Sequence, residues 1–294
     1  MSGVGMSTHD ATRRQVARSV RTATLMGTVA SIHLIGSVDE DLVDAAADDC
    51  FGELADVERV FSPFLQESDI SRMRRGELAL EDADTRVSAV HRACETALDA
   101  TDGLFDAWHA GWFDPTGYVK GWATEIAAHR SLAPLLGVPG VEAVGIGVGG
   151  DMQLFTSPGS DWVWRVGIAD PAHPGGVVAT LAVRDGAVAT SGTAERGSHI
   201  VDPRAVDSVA PSKARSTPTA GATVVADRLE AADLWATTAV IAGFDDLGWI
   251  AQPGPLSQLR SGMLVASDGR VRRWARGVEL TPSNRSWLSE LPGA

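Results

Sequence analysis

The chain has 294 residues, 44% of them hydrophobic and 21% charged, a globular mix that excludes intrinsic disorder, collagen and coiled coil as overall descriptions. At this length roughly 75% of the unfolded surface can be buried, so a large core is available. Asp plus Glu number 38 against 25 Lys plus Arg, a net charge of -13, which argues against a general nucleic-acid or anionic-membrane binder. A local basic or metal-filled pocket for a phosphorylated ligand remains compatible with that charge.

In chain order, residues 1–21 carry Arg13, Arg14, Arg18 and Arg21 but no apolar run of signal-peptide length. No window approaches the roughly 20 apolar residues of a membrane helix. The expectation is a cytoplasmic protein with a flexible tail over 1–20 and a single domain over 21–294. Residues 22–35 read as a strand pair, or one long strand broken near Gly27. Leu42, Ala46, Leu54, Val57 and Val60 recur at helical spacing over 39–60, and Val87, Val90, Cys94, Ala97 and Leu98 do so over 84–100. Cys50 and Cys94 fall in these helices and read as reduced, buried thiols, with a disulfide between them as the alternative. A third helix is predicted from Lys120 to Leu136, ended by Gly137, Pro139 and Gly140. Strands follow at 143–148, 162–168, 177–183 and 222–225, with a long Pro/Ser/Thr/Ala-rich loop over 203–220. A helix over 228–242 and late strands at 247–251, 262–266 and 271–274 complete an α+β pattern without strict strand–helix alternation.

Four clusters carry possible chemistry. Gly147, Gly149 and Gly150 precede Asp151, but DMQLF after them reads as a strand, so the segment is a hairpin turn and not a Rossmann fingerprint. In FDPTGYVKGWA, Gly117 and Gly121 flank Lys120 at the expected helix start, where N–H groups and an ammonium attract anions; a solvated lysine is the other reading. Ser191, His199 and Asp202 could suggest a hydrolase, but the serine lacks a G-x-S-x-G elbow, leaving His199 as an acid/base or a structural histidine. Asp233 and Thr237 share one helix face with Leu229, Ala236 and Val240. An acid on such a face is costly to bury unless paired or bound to a metal, and carboxylate plus hydroxyl suits Mg²⁺. A local hydrogen bond is the alternative.

Taken in order, MGT (26–28), FSPFLQESDISRM (61–73), TDGLFDAW (101–108), FDPTGYVKGWA (113–123), VGGD (148–151), ATSGTAER (189–196), HIVDPR (199–204) and EAADLWATTA (230–239) resemble the ApbE-type flavin transferases over about residues 22–245. The resemblance implies one α+β domain with mixed or antiparallel sheets packed with helices around an FAD cleft. It implies transfer of FMN from FAD to a Thr or Ser hydroxyl of an acceptor flavoprotein carrying a Ser/Thr-Gly-Ala-Thr-like motif, with Mg²⁺ required and AMP released. By motif match, Met26, Phe64, Leu104, Phe105, Asp106, Asp114, Lys120, Gly149, Gly150, Ser191, Gly192, His199 and Ile200 would bind FAD. The Gly117 carbonyl, Asp233 and Thr237 would hold the metal, with His199 as base and Asp233 assisting. The chain departs from the family pattern at Phe64, often Tyr, and at Leu65, often basic. TPTAGAT (217–223) partly resembles the acceptor motif, but Ala220 breaks it. An FAD diphosphatase and a non-catalytic FAD-binding protein are the alternative functions.

Overall fold

The computed structural model describes residues 17–192, 218–251 and 261–280. β1 (Arg18–Leu25) and β2 (Thr28–Gly36) form a hairpin in full register, Leu25 opposite Thr28, so the break at Gly27 is a tight turn between two strands. β1 takes in Arg18, Ser19 and Val20, which the sequence reading placed in the tail. Their backbone pairs with β2, and Arg21 ion-pairs with Glu40 and Asp44 of the next helix.

Asp39 starts α1 (Glu40–Phe61), its carboxylate accepting the Asp41 N–H at 3.0 Å, and Val43, Ala46, Ala47, Cys50, Leu54, Val57 and Val60 bury one stripe. A short α2 (Asp69–Arg74) precedes α3 (Thr85–Ala100). The third expected helix, α4, spans Thr116–Ala127 and therefore begins four residues before Lys120. The cause is Asp114, whose Oδ1 accepts the Thr116 N–H at 3.1 Å and the Thr116 hydroxyl at 2.7 Å. Beyond Ala127 the winding changes to a π turn (Ala128–Leu132) and a 3-10 turn (Ala133–Gly137).

Then come β3 (Val141–Val148), β4 (Asp151–Thr156), β5 (Trp164–Ala169), β6 (Val177–Val183), β7 (Gly186–Gly192) and β8 (Thr219–Ala226). Thr219 and Ala220, read as loop, belong to β8. α5 (Leu229–Ala242) is followed by β9 (Ser261–Ala266), β10 (Val271–Ala275) and β11 (Val278–Glu279). The strand expected at 247–251 is instead a 3-10 turn at Gly248–Ala251. There Trp249 stacks on Trp235 at 5.6 Å and meets Trp274 edge-on at 5.2 Å, so ring packing sets the local conformation.

Among the described residues nine strands make one antiparallel sheet, ordered β1-β2-β3-β4-β7-β8-β9-β10-β11, and β5-β6 form a separate hairpin. Strand alternation sends Ile32, Leu34, Val144, Ile146 and Phe155 to a core with α1, α3 and α4. Ala187, Ala189, Ala222, Val224 and Leu264 meet α5. The alternate residues Ala143, Leu154, Val188, Met263 and Val265 pack under the β5-β6 hairpin through Trp164, Val166 and Ile168. The result is the expected α+β architecture with helices on one face of the sheet and a hairpin on the other. Cys50 and Cys94 are free and buried, and burial pushes the Cys50 thiol up to about 12. Among the described residues no helix is long and apolar enough to cross a membrane.

Candidate functional site

Two hairpin turns and two strand ends meet at one end of the large sheet. The Gly149 N–H of the β3-β4 turn donates to the Val29 carbonyl at 3.1 Å, which brings it beside the β1-β2 turn. Asp151 opens β4, and its Oδ1 accepts the Thr190 N–H near the end of β7 at 3.2 Å. β7 and β8 finish their pairing at the same end, Ser191 opposite Ala222 and Gly192 opposite Gly221.

α4 and α5 lay their polar residues over the helix face of this end. Lys120 forms an ion pair with Asp151 Oδ2 and lies 3.6 Å from Asp233 Oδ1. Asp151 is fully buried and Asp233 is 3% exposed. The helices meet closely because residue 121 has no side chain: a Cβ there would lie 2.8 Å from the Asp233 Cβ and 3.0 Å from the Leu229 carbonyl oxygen. The Gly121 N–H donates to Asp233 Oδ2 at 3.1 Å. In an α-helix that N–H points to the carbonyl four residues back, here Gly117, so the carboxylate competes with the Gly117 oxygen for its donor. One turn beyond Asp233, the half-buried Thr237 hydroxyl hydrogen-bonds with the Ser191 hydroxyl at 3.1 Å.

The electrostatics follow from burial. One ammonium lies between two carboxylates, a formal surplus of one negative charge in a place water hardly reaches. Desolvation, then the neighbouring Asp151 charge, push the Asp233 carboxyl up to about 7, against the opposing pull of Lys120 and the Gly121 N–H. A site that resists a second carboxylate charge favours a cation. Among the described residues no three His, Cys, Asp or Glu side chains cluster around a metal position. The residues expected to hold a metal offer donors of another kind, the Asp233 carboxylate, the Thr237 hydroxyl and the Gly117 carbonyl, hard oxygens whose chemistry suits Mg²⁺.

The other expected site residues lie on several elements. Phe105 is buried against Gly117, with its Cε2 only 3.2 Å from where a Cβ at 117 would be. Leu104 is buried in the core beneath α5. Asp106 Oδ1 accepts the Trp108 N–H at 2.7 Å, and Asp114 Oδ1, just ahead of α4, accepts the Thr116 N–H. Met26 occupies the β1-β2 turn, and Gly149 and Gly150 the β3-β4 turn. Phe64, on the turn after α1, is 89% exposed, which leaves its ring free for a flat partner. His199 and Ile200 lie outside the described residues, as does Asp202. Lys120 stands in the second turn of α4, so its anion-attracting role cannot rest on the helix N-terminus and rests on its own charge, already shared by two carboxylates. Thr223 points to the hairpin face, 2% exposed, its hydroxyl 3.0 Å from that of Thr190.

The sequence reading did not single out Asp151 as a site residue. The signal was present: Asp151, Gln153 and Phe155 alternate on one strand, so two polar side chains share the core-facing side with an aromatic. A second buried ionic cluster was also missed. Arg228 reaches Glu125 at 2.8 Å and Glu230 at 2.7 Å, Glu125 accepts the Glu230 N–H at 3.0 Å, and the Tyr118 hydroxyl donates to Glu230 at 3.1 Å.

Comparison with known proteins adds independent information. A family model described as the ApbE family matches residues 110–258. The fold is similar to the crystal structure of the ApbE protein from Thermotoga maritima, with TM-score 0.70 and 18% identity over 87% of this chain and 97% of that one. It is also similar to flavin transferase ApbE from Vibrio cholerae, with TM-score 0.63 and 15% identity over 88% of this chain and 97% of that one. Pseudomonas stutzeri flavinyl transferase ApbE gives TM-score 0.65 and 17% identity over 88% and 96%. No curated protein matches the sequence.

Proposed function

Since the chain belongs to the ApbE family, we propose that it transfers FMN from FAD to a Thr or Ser hydroxyl of a target flavoprotein, forming a phosphoester-linked flavin and releasing AMP. The observation that carries this reading is the buried Lys120–Asp151–Asp233 cluster beside Thr237, a cation-seeking site where four strand and helix segments converge. Mg²⁺ held by Asp233, Thr237 and the Gly117 carbonyl would neutralise charge on the phosphoryl oxygens. In the reaction the acceptor oxygen bonds to the flavin-side phosphorus, the P–O bond to the adenosine phosphate breaks, and AMP leaves with the bridging oxygen.

The chain's own residues orient and balance these charges. Asp151, fixed by the Thr190 N–H, anchors the Lys120 ammonium so that it cannot swing out to solvent. The Ser191 hydroxyl hydrogen-bonds with the Thr237 hydroxyl and so holds that oxygen in place one turn from Asp233. Phe64 supplies an exposed ring for the isoalloxazine. His199 is the assigned base for the acceptor hydroxyl proton, and Asp233 assists from the metal side. The acceptor carries a Ser/Thr-Gly-Ala-Thr-like segment, and the protein works in the cytoplasm.

The test incubates the protein with FAD and Mg²⁺, with and without such an acceptor, and quantifies AMP, free FMN and covalent flavin together. Covalent flavin equal to AMP is expected, with a loss of at least about 10²-fold in Asp233→Ala. AMP with equal free FMN would make the chain a diphosphatase. Intact FAD in both reactions would reduce it to a flavin binder.

A further inference from the structure

The β1-β2 turn is built against its own backbone preference. Leu25 and Thr28 pair directly, so Met26 and Gly27 are the two central residues, and both have positive φ, 52° and 70°. Such two-residue hairpin turns favour Asn-Gly or Asp-Gly. A methionine in the left-handed region is strained, because its Cβ crowds the carbonyl oxygen. The structure compensates from a distance. The Met26 N–H, which the hairpin leaves without a ladder partner, donates to Glu58 Oε2 at 2.9 Å, 32 residues away. Glu58 stands on α1 between the buried Val57 and Val60, so its backbone is on a rigid element packed against the sheet.

The Met26 side chain is half-buried at the edge of the helix-side core. Its turn neighbours the Gly149–Gly150 turn and hence Asp151. α1 then runs on to the segment carrying the exposed Phe64. A turn alone would be served better by asparagine. A thioether kept at a strained position, at the sheet end where the ionic cluster lies, is explained by a ligand that uses it. Sulfur is soft and polarisable and packs well on aromatic rings.

We propose that Glu58 is a positioning residue for flavin recognition. By accepting the Met26 N–H it holds the strained Met26–Gly27 turn, and so fixes the Met26 thioether against the isoalloxazine ring. The inference rests on the FAD reading given above and deepens it. Glu58 does not touch the ligand; it acts through the backbone of residue 26.

FAD affinity, read by flavin fluorescence quenching without turnover, and Tm test the proposal together. Glu58→Ala is expected to weaken FAD binding about tenfold, the size of one lost hydrogen bond to a charged group. Glu58→Gln, whose amide oxygen can still accept the N–H, stays within about twofold of wild type. Met26→Asn suits the turn better and raises Tm by about 2 °C, yet weakens FAD binding because the thioether is gone. Adding Glu58→Ala to Met26→Asn causes no further loss of FAD affinity, because the effect of Glu58 passes through Met26. If Glu58→Ala lowers Tm but binds FAD as wild type does, Glu58 is merely structural and the proposal is overturned. If wild type binds FAD and both single variants match it, the proposal falls and the transferase reading stands. If wild type binds no FAD, the transferase reading falls first.

Discussion

Helices α4 and α5 are joined by two buried ionic clusters that bracket their crossing point at Gly121. Each carries two carboxylates and one cation: Glu125, Glu230 and Arg228 in one, Asp151, Asp233 and Lys120 in the other. They differ in how the surplus negative charge is met. In the first, Arg228 is half exposed and forks across both acids, the Tyr118 hydroxyl adds a donor, and the Glu230 N–H takes the remaining Glu125 oxygen. In the second, Lys120 is only 16% exposed and must serve two acids that water scarcely reaches. Equal formal charge therefore gives a clamp in one place and a receptive site in the other. The difference lies in access to solvent and in the cation, a half-exposed guanidinium against a largely buried ammonium.

Removing the cation from the receptive cluster is the most severe way to break this contrast. Lys120→Met leaves two buried carboxylates facing each other and should cost about 3–5 kcal/mol in chemical denaturation. Adding Asp151→Asn should recover most of it, because the second charge is then gone; a double variant no more stable than the single would mean that Lys120 is held by something else. In the clamp, Glu125→Gln replaces a carboxylate that receives Arg228 and the Glu230 N–H, and should cost about 1–3 kcal/mol. The flavin-transfer rate of its folded fraction should match wild type, and a fall in rate without a fall in stability would erase the distinction between the clusters. The smallest effect concerns Glu230. Burial raises its carboxyl above the ordinary 4.5. Just above that pH the folded protein keeps a proton that the unfolded chain has released, so stability declines as pH rises there. Tm measured against pH should show a shallower decline in Glu230→Gln, and an identical slope would place the titration elsewhere.

Part of this architecture was legible in the residues alone. Asp233 and Thr237 share a helix face by spacing, and both stand at the site. The apolar run at 143–148 and the turn after it predicted the β3-β4 hairpin. β7 was missed because GAVATSG is built of small residues with little β-branched signal, and its strand state depends on β4 and β8 flanking it. Lys120 was placed at a helix start because its flanking glycines looked like a boundary, whereas the Asp114 side chain begins the helix earlier. The burial of Asp151 depends on Lys120, 31 positions back in the sequence, and no local pattern reports such a pairing. Glu58 belongs to the same class: its carboxylate reads as one more acid on a solvated helix face until the hairpin tip arrives above it.

Ser191 and Thr223 lie near each other across the β7-β8 ladder, yet strand alternation gives them opposite sides of the sheet. The sheet thus acts as a partition. The chain carries a segment partly resembling an acceptor, and its Thr223 hydroxyl is kept behind a layer of backbone from the place where a flavin phosphate would be handled. A register slip of one residue would turn that hydroxyl through the wall. On the proposed transferase reading, pleat parity then keeps donor chemistry and the Thr223 hydroxyl on opposite sides of the sheet without any barrier built for the purpose.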